Sequence, residues 1–157
     1  MSVDDSPESL TEAMLTASRA LVAVAARSLA VAAPADVTLP QYRALVVLAA
    51  RGPVRVGDLA DALGIHPSTA TRLCDRLVDR RLVRRAVDRT NRRETTISLS
   101  AAGRKVVDDV TAVRRAEIRA IVDRIPADVR APAVAALVAF AEAAGEPAQA
   151  AWTLGWS

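Results

Sequence analysis

The chain has 157 residues, of which 52% are hydrophobic and 25% are charged, with a formal net charge of +3 at pH 7. This balance excludes a disordered chain, because enough apolar side chains are present to build a core, and the length suits one domain. Only 3% of the residues are aromatic, so Ala, Val and Leu must fill that core, which favours closely packed helices.

A long N-terminal helix is predicted over residues 7 to about 33. Ser6 can cap it, Pro7 suits the first helical position, and Glu8 faces the positive end of the helix dipole. Apolar residues recur along the helix at alternating spacings of four and three, which is typical of a seam that packs on another helix. This seam comprises Leu10, Met14, Ala17, Leu21 and Val24.

A helix-turn-helix is predicted over residues 56 to about 80. The first helix places apolar residues at i, i+3, i+4 and i+7, and Gly64 supplies the left-handed residue that ends it. The second helix begins at Pro67, because the first turn of a helix leaves its N–H groups without partners and proline lacks one. The apolar stripe expected to face the core comprises Ala70, Leu73, Cys74 and Leu77.

The opposite face of this second helix is polar and suits the major groove of DNA. Arginine can donate two hydrogen bonds to guanine O6 and N7, while small hydroxyl side chains allow a close approach to phosphates and base edges. Arg72 and Arg76 are therefore the main base-contacting candidates, and the alternative is the solvated face of an ordinary helix. The full set of candidate contacts on this face is Ser68, Thr69, Thr71, Arg72 and Arg76.

Two short strands with a polar tip are predicted next, over residues 82–87 and 94–99. Ile97 and Leu99 alternate with polar residues, which is typical of a half-buried strand. Three arginines crowd the tip, where their charges repel one another unless a polyanion receives them, and arginine suits phosphate and the narrow minor groove. Two strands with such a tip, next to a helix-turn-helix, form a wing, and the candidate wing contacts are Arg89, Arg92 and Arg93.

The charge distribution supports the same surface. Residues 67–94 hold nine arginines against three aspartates and one glutamate, a net charge of +5, so the rest of the chain carries −2. Lys105 is the one lysine among 21 basic residues, so the placement of the arginines, rather than their abundance, indicates a nucleic-acid surface.

Two more helices are predicted at the C-terminal end. Ser100 caps one that runs to about residue 125, and the last follows Pro126, with Pro132 expected in its first turn because a deeper proline kinks a helix. The terminal helices have little to pack against inside a compact winged helix, so we expect a second copy of the chain to cover them. A monomer with a packed helical cap is the alternative. The candidate dimer contacts are Leu10, Met14, Ala17, Leu21, Val134 and Leu137.

Trp152 and Trp156 lie in a tail that begins near Gly145. Two tryptophans could dock on a partner subunit or close over a small-molecule pocket. A frayed terminus is an equally weighted alternative, because chain ends are often poorly ordered.

These motifs, in this order, resemble the MarR family of bacterial transcriptional regulators. The resemblance rests on five segments, which are residues 39–45, 58–64, 68–73, 88–93 and 99–103. Two departures are modest. Asn91 stands where the family wing usually has Asp, and Ala70 stands where Val is common. The amide of Asn91 cannot pair ionically with the wing arginines.

The resemblance implies a mainly α fold with a small β-wing, in which a winged helix-turn-helix carries N- and C-terminal dimerisation helices. We expect a single domain over residues 1–157, with the winged helix-turn-helix at 39–99, dimerisation helices at 6–33 and 100–144, and a tail at 145–157. It also implies a homodimer, expected to be a repressor, on a near-palindromic operator in double-stranded DNA, with recognition helices about 34 Å apart.

Many members of this family bind small aromatic anions or other effectors between the dimer helices and the winged domain. The candidates for such a pocket here are Tyr42, Arg43 and His66, although a structural role at the helix entry is favoured for His66. Cys74 lies on an apolar stripe, so core packing is favoured over redox sensing. No metal or other cofactor is expected, because one His and one Cys cannot build a tetrahedral site.

Catalysis is not expected, since no Ser-His-Asp order, glycine-rich phosphate loop or paired carboxylates stand out. The alternative function is a winged-helix module whose basic face binds an acidic protein partner. The single cysteine favours a reducing compartment, the cytoplasm. No secretory signal or membrane-spanning run is expected, because the apolar stretch at residues 20–33 is short and contains Arg27.

Overall fold

Helices dominate the structure, and a small antiparallel sheet lies beside them. The computed structural model describes residues 6–87 and 95–146. Within these ranges the elements in chain order are α1 (Pro7–Ala32), α2 (Leu39–Arg51), β1 (Val54–Arg55), α3 (Val56–Leu63), α4 (Pro67–Asp79), β2 (Val83–Val87), β3 (Thr95–Leu99), α5 (Ala101–Val122) and α6 (Ala127–Ala143). The predicted fold class, mainly α with a small β-wing, is confirmed.

The helix-turn-helix comprises α3 and α4, at almost the bounds that the sequence predicts. Gly64 adopts the left-handed conformation, with φ of 63°. The next N–H group, that of Ile65, donates to the carbonyl of Ala60 at 3.0 Å. This bond closes the end of α3 in a Schellman motif and directs the chain into α4.

The end of α4 has the same hydrogen-bond pattern without a glycine. The Arg81 N–H donates to Val78 O at 2.8 Å, and the Leu82 N–H donates to Leu77 O at 3.0 Å. Arg81 therefore holds a φ of 58°, a left-handed conformation that costs a non-glycine residue about 1–2 kcal/mol. The turn directs the chain from α4 into β2. Sequence patterns did not indicate it, because glycine is the usual residue at this position.

The three strands form one antiparallel sheet in the order β1-β3-β2. Val83 pairs with Leu99, and the register continues to Val87 opposite Thr95. The short strand β1 was not predicted. It pairs Val54 with Ile97, and so joins the wing to the loop between α2 and α3.

The start of α5 contacts the turn that follows α4. The Ser100 N–H donates to Leu82 O at 3.1 Å, and the Ser100 hydroxyl donates to Arg81 O at 2.7 Å while it accepts the Gly103 N–H at 3.0 Å. A Cβ atom on Gly103 would lie 2.0 Å from Leu82 O. Only glycine permits this close approach of α5 to the end of the helix-turn-helix.

The core lies between α2, α3, α4, α5 and the inner face of the sheet. The predicted stripe of α4 is buried there, and Leu45, Leu59 and Ile97 are fully enclosed with it. α1 contributes Leu29 to this core and also contacts the C-terminal half of α5, where Arg27 Nε donates to Glu117 Oε1 at 2.6 Å. The core thus positions α4 with its polar face outward.

The outer helices leave much apolar surface in water. Leu10, Leu21, Val134 and Leu137, all predicted dimer contacts, are each at least half exposed, and no residue of α6 is buried. Val24 differs from the rest of the predicted seam because it is buried within the same chain.

Two expectations about the outer helices are corrected. Pro132 lies in the second turn of α6, not the first, because the helix already begins at Ala127. By length and composition, α1 could cross a membrane, so the expectation that no such stretch is present was wrong. The apolar run reaches further toward the N-terminus than the segment at residues 20–33 considered above. Length and composition alone do not separate a membrane span from a helix that packs on protein.

We predict that Gly103→Ala lowers the free energy of unfolding by about 1–3 kcal/mol, because the added methyl group must displace the backbone at Leu82. Gly57→Ala is the matched control. Gly57 lies inside α3 with open space around it, so the same change there should add about 0.5–1 kcal/mol of stability. Urea unfolding of both variants measures the difference, and equal effects of the two changes would contradict the close approach.

Candidate nucleic-acid interface and cleft

The N-terminus of α4 is organised by His66, which is its N-cap. The His66 Nδ1 atom accepts the Ser68 N–H at 3.3 Å and lies 2.9 Å from the Ser68 hydroxyl oxygen. One turn later, the Thr71 hydroxyl donates to the carbonyl of Pro67 at 3.0 Å. His66 therefore has the structural role that the sequence favoured, and it orders the end of the helix that carries the candidate contacts.

The candidate contacts on α4 share one exposed face. They are Ser68, Thr69, Thr71, Arg72 and Arg76. Within the part of the chain that the structure describes, the side chains of Arg72 and Arg76 make no hydrogen bond or ion pair. Because the opposite stripe is buried in the core, the helix is fixed and both guanidinium groups remain available to a ligand. The assignment of these side chains as DNA contacts stays a prediction.

An ion pair joins β2 to α4. Arg85 Nη2 on β2 lies 2.7 Å from Asp75 Oδ1 on the polar face of α4. Both side chains are partly exposed, so the pair contributes at most about 1 kcal/mol. Its main effect is on charge and geometry, because it neutralises a carboxylate that would repel phosphate and holds β2 beside α4. Sequence spacing did not indicate this pairing, since the two residues lie on different elements.

The predicted wing contacts Arg89, Arg92 and Arg93 lie outside the described residues, as do Trp152 and Trp156. Their roles therefore stay predictions. The structure places the strands that lead into the wing, with Val87 opposite Thr95.

A cleft of about 500 Å³ opens beside the start of α2. Its lining residues are Leu39, Pro40, Tyr42, Arg43, Val46, Arg114 and Glu146. The structure brings Tyr42 and Arg43 together, as predicted for an effector pocket, and it separates His66 from them at the N-cap of α4. Sequence reasoning missed Arg114 and Glu146 because neither is near α2 in the chain.

Two arginines and one carboxylate determine the electrostatics of this cleft. Arg43 and Glu146 form a two-pronged pair, with Nη1 to Oε1 at 3.0 Å and Nη2 to Oε2 at 2.6 Å. These bonds lower the pKa of Glu146 and raise that of Arg43. The guanidinium carbon of Arg114 lies 5.5 Å from the centre of the Tyr42 ring, and within the described ranges its buried Nε has no hydrogen-bond partner. The cleft therefore carries excess positive charge next to an aromatic ring.

Cys74 is fully buried on the inner stripe of α4. Burial raises the pKa of its thiol, and this effect outweighs the lowering by the charge of Arg85. Little reactive thiolate is therefore present near neutral pH, which supports core packing over redox sensing.

We predict that the Cys74 thiol of the folded protein reacts with a disulfide reagent at least about a hundredfold more slowly than in the unfolded chain, which corresponds to an opening free energy of about 3 kcal/mol. A Ser68→Cys variant is the matched control, since position 68 is exposed on the same helix. Its new thiol should react at the solvent rate. Rapid labelling of wild-type Cys74 would show that the thiol is accessible.

Known proteins share this arrangement. The family model described as MarR family matches residues 35–94. The crystal structure of RV1404 from Mycobacterium tuberculosis is 44% identical and covers 93% of this chain and 99% of that chain, with a TM-score of 0.84. A MepR mutant from Staphylococcus aureus, solved bound to an oligodeoxyribonucleotide, is 22% identical over 85% of this chain and 96% of that chain, with a TM-score of 0.64. This last likeness concerns the fold.

The curated relatives agree over a shorter region. An uncharacterised HTH-type transcriptional regulator of Bacillus subtilis, YfiV, is 31% identical over 71 residues, which are 45% of this chain and 44% of that protein. The match therefore spans less than half the length of that relative. Together with the extended likeness to RV1404 and the winged helix-turn-helix described above, these matches show that the chain belongs to the MarR family.

Proposed function

We propose that this chain is a sequence-specific, DNA-binding transcriptional regulator that acts as a homodimer. The observation that carries the proposal is the outer face of α4, where Arg72 and Arg76 are exposed without partners among the described residues. They are separated by one helical turn, about 6 Å along the axis. Arginines at this spacing suit neighbouring bases in a major groove, where each can donate two hydrogen bonds to guanine.

The supporting contacts divide into two classes. Ser68 and Thr69 lie at the N-terminus of α4, where hydroxyl and backbone N–H groups suit phosphate oxygens. The wing arginines are proposed to enter the adjacent minor groove, and the pair of Arg85 with Asp75 would hold the wing in place. A MepR mutant with a similar fold has been solved bound to an oligodeoxyribonucleotide, which supports DNA as a ligand for this fold.

The apolar surface of the outer helices supports the proposed dimer. Leu10 and Leu21 on α1 and Leu137 and Phe140 on α6 are half exposed or more in one chain. Burying such apolar surface stabilises an assembly by about 25 cal/mol per Å². A second copy of the chain, which carries the same apolar helices, can bury this surface on both α1 and α6. Two-fold symmetry would then place two α4 helices about 34 Å apart on a near-palindromic operator.

The same interface explains why α1 is apolar enough to resemble a membrane span. Charged residues occur along the helix, including Glu8, Glu12, Arg19 and Arg27, and Arg27 binds Glu117 on α5. A lipid-embedded helix would leave these charges unsolvated at a high cost. We therefore propose that the protein is cytoplasmic.

We also propose that the regulator is a repressor, which blocks a promoter by binding to it.

The cleft beside α2 is proposed as an effector site for a small aromatic anion. The ring of Tyr42 offers a stacking surface, and the positive charges of Arg43 and Arg114 favour a carboxylate. The carboxylate of Glu146 already binds the Arg43 guanidinium, as the carboxylate of an effector would. An effector must therefore displace Glu146 or bind beside it, and we propose that its binding alters the spacing of the two winged domains.

The competing function is a winged helix that binds an acidic protein. It shares the basic face but requires no preference among duplexes. Operator binding should weaken with salt at a slope of about −0.9 per neutralised phosphate and should keep its sequence preference. Binding that loses all preference among duplexes would favour the protein-binding alternative.

We predict that Arg72→Ala and Arg76→Ala each cost about 1–3 kcal/mol of binding to the preferred duplex and relax specificity at particular bases. Fluorescence anisotropy with the preferred and random duplexes measures both effects. Arg115→Ala is the control, because it removes the same charge from an exposed position on α5. Equal losses on both duplexes would assign the two arginines to phosphates instead of bases.

We predict that Glu146→Gln tightens the binding of benzoate by about 1.4-fold to fivefold, the equivalent of the 0.2–1 kcal/mol of a partly exposed ion pair. Arg43→Gln should weaken it. Isothermal titration calorimetry provides the measurement. Glu142→Gln is the control, because it removes the same charge four residues earlier, at an exposed position on α6. Equal affinities for wild type and Glu146→Gln would contradict competition at Arg43.

A further inference from the structure

The last residue before the turn at the end of α4 reaches away from the proposed DNA surface. Arg80 Nη1 donates to Gln41 Oε1 at 2.9 Å and to the carbonyl oxygen of Asp36, and Nη2 lies 3.0 Å from Asp36 Oδ2. The side chain is 29% exposed. The single guanidinium group of Arg80 thus contacts three acceptor oxygens, all from the short segment between Asp36 and Gln41.

These acceptors are ordered by contacts of their own. Gln41 is buried, and its Oε1 also accepts the Thr38 N–H at 2.9 Å as part of the capping box that begins α2. Asp36 lies in a turn in which the Val37 N–H donates to Pro34 O at 2.9 Å. The Asp36 side chain itself is 63% exposed, so the fixed part of the receiving site is the Gln41 amide and the backbone of the turn. These give the planar fork of Arg80 a defined position to bind.

The contacts of Arg80 lie at the C-terminal end of α4, so a small change of helix angle there displaces the candidate contacts near the N-terminal end. Arg72 precedes Arg80 by eight residues, about 12 Å along the helix axis. A tilt of about 5° at the anchored end would displace the region of Arg72 by about 1 Å over that length. Such a displacement is large compared with the tolerance of a bidentate hydrogen bond to a base.

We propose that Arg80 is a positioning residue for DNA binding, which sets the angle of α4 against the start of α2 through Asp36 and Gln41 without contacting DNA. This inference rests on the proposed DNA-binding function. The competing role for an arginine beside a basic surface is a direct phosphate contact. The two roles predict opposite signs for the loss of the Asp36 carboxylate.

The test is Asp36→Asn in the full chain, with fluorescence anisotropy on a preferred duplex and a random duplex. Positioning predicts that affinity for the preferred duplex falls by about threefold to tenfold, while random-duplex binding changes little. A phosphate contact predicts the reverse, because the change frees Arg80 and removes a negative charge. Asp61→Asn, on the exposed side of α3, reports the general effect of losing one negative charge.

The salt dependence of DNA binding by Arg80→Gln is a second measurement, and it distinguishes positioning from a phosphate contact. Positioning leaves the salt dependence of binding at its wild-type slope, whereas loss of a phosphate contact reduces the slope by about 0.9. Asp36→Glu, which keeps the carboxylate, should restore part of the affinity lost in Asp36→Asn. Measurements well below the melting midpoint of every variant ensure that folded protein is compared.

The outcomes separate the two proposals. Tighter binding by Asp36→Asn, or a flatter salt slope for Arg80→Gln, overturns the positioning role and leaves the DNA-binding function intact. A wild-type protein that binds the two duplexes equally, or binds neither, overturns the DNA-binding function and the positioning role with it.

Discussion

The close approach of α5 to the turn after α4 is the constraint on which the arrangement of the whole chain depends. Gly103 allows it because the carbonyl of Leu82 occupies the space that a side chain would need, and Ser100 bonds to both residues of the turn. α4, the start of β2 and α5 meet there. The orientation of the proposed DNA surface relative to the apolar outer helices is therefore set at one compact junction.

The arginines divide into groups that composition cannot separate. Arg80 and Arg85 bind acidic or amide partners and hold α4 at its end and along its side, whereas Arg72 and Arg76 remain exposed on the outer face. Arg80 also connects α4 to Gln41, which lies between Pro40 and Tyr42 of the cleft. The same short segment thus contacts the proposed DNA-binding helix and lines the proposed effector site, which gives the two sites a physical connection.

Local signals made much of the fold predictable, and long-range contacts set the limit. Gly64 and Pro67 are turn and helix-start residues, so the bounds of α3 and α4 followed from the sequence almost residue by residue. Pairs between distant segments carry no such pattern, and Glu146 meets Arg43 across 103 positions. The prediction that His66 lies with the cleft residues was wrong. Its ring caps α4 instead, where Nδ1 accepts the Ser68 N–H.

The most direct test of the central claim is a fluorescence-anisotropy titration of the purified protein against its own upstream intergenic duplex and a scrambled duplex, at two salt concentrations. We predict a preference for the upstream duplex of about a thousandfold or more, with weaker binding to both duplexes at the higher salt concentration and the preference retained. Failure to bind either duplex at low salt would contradict a DNA-binding role for the exposed face of α4.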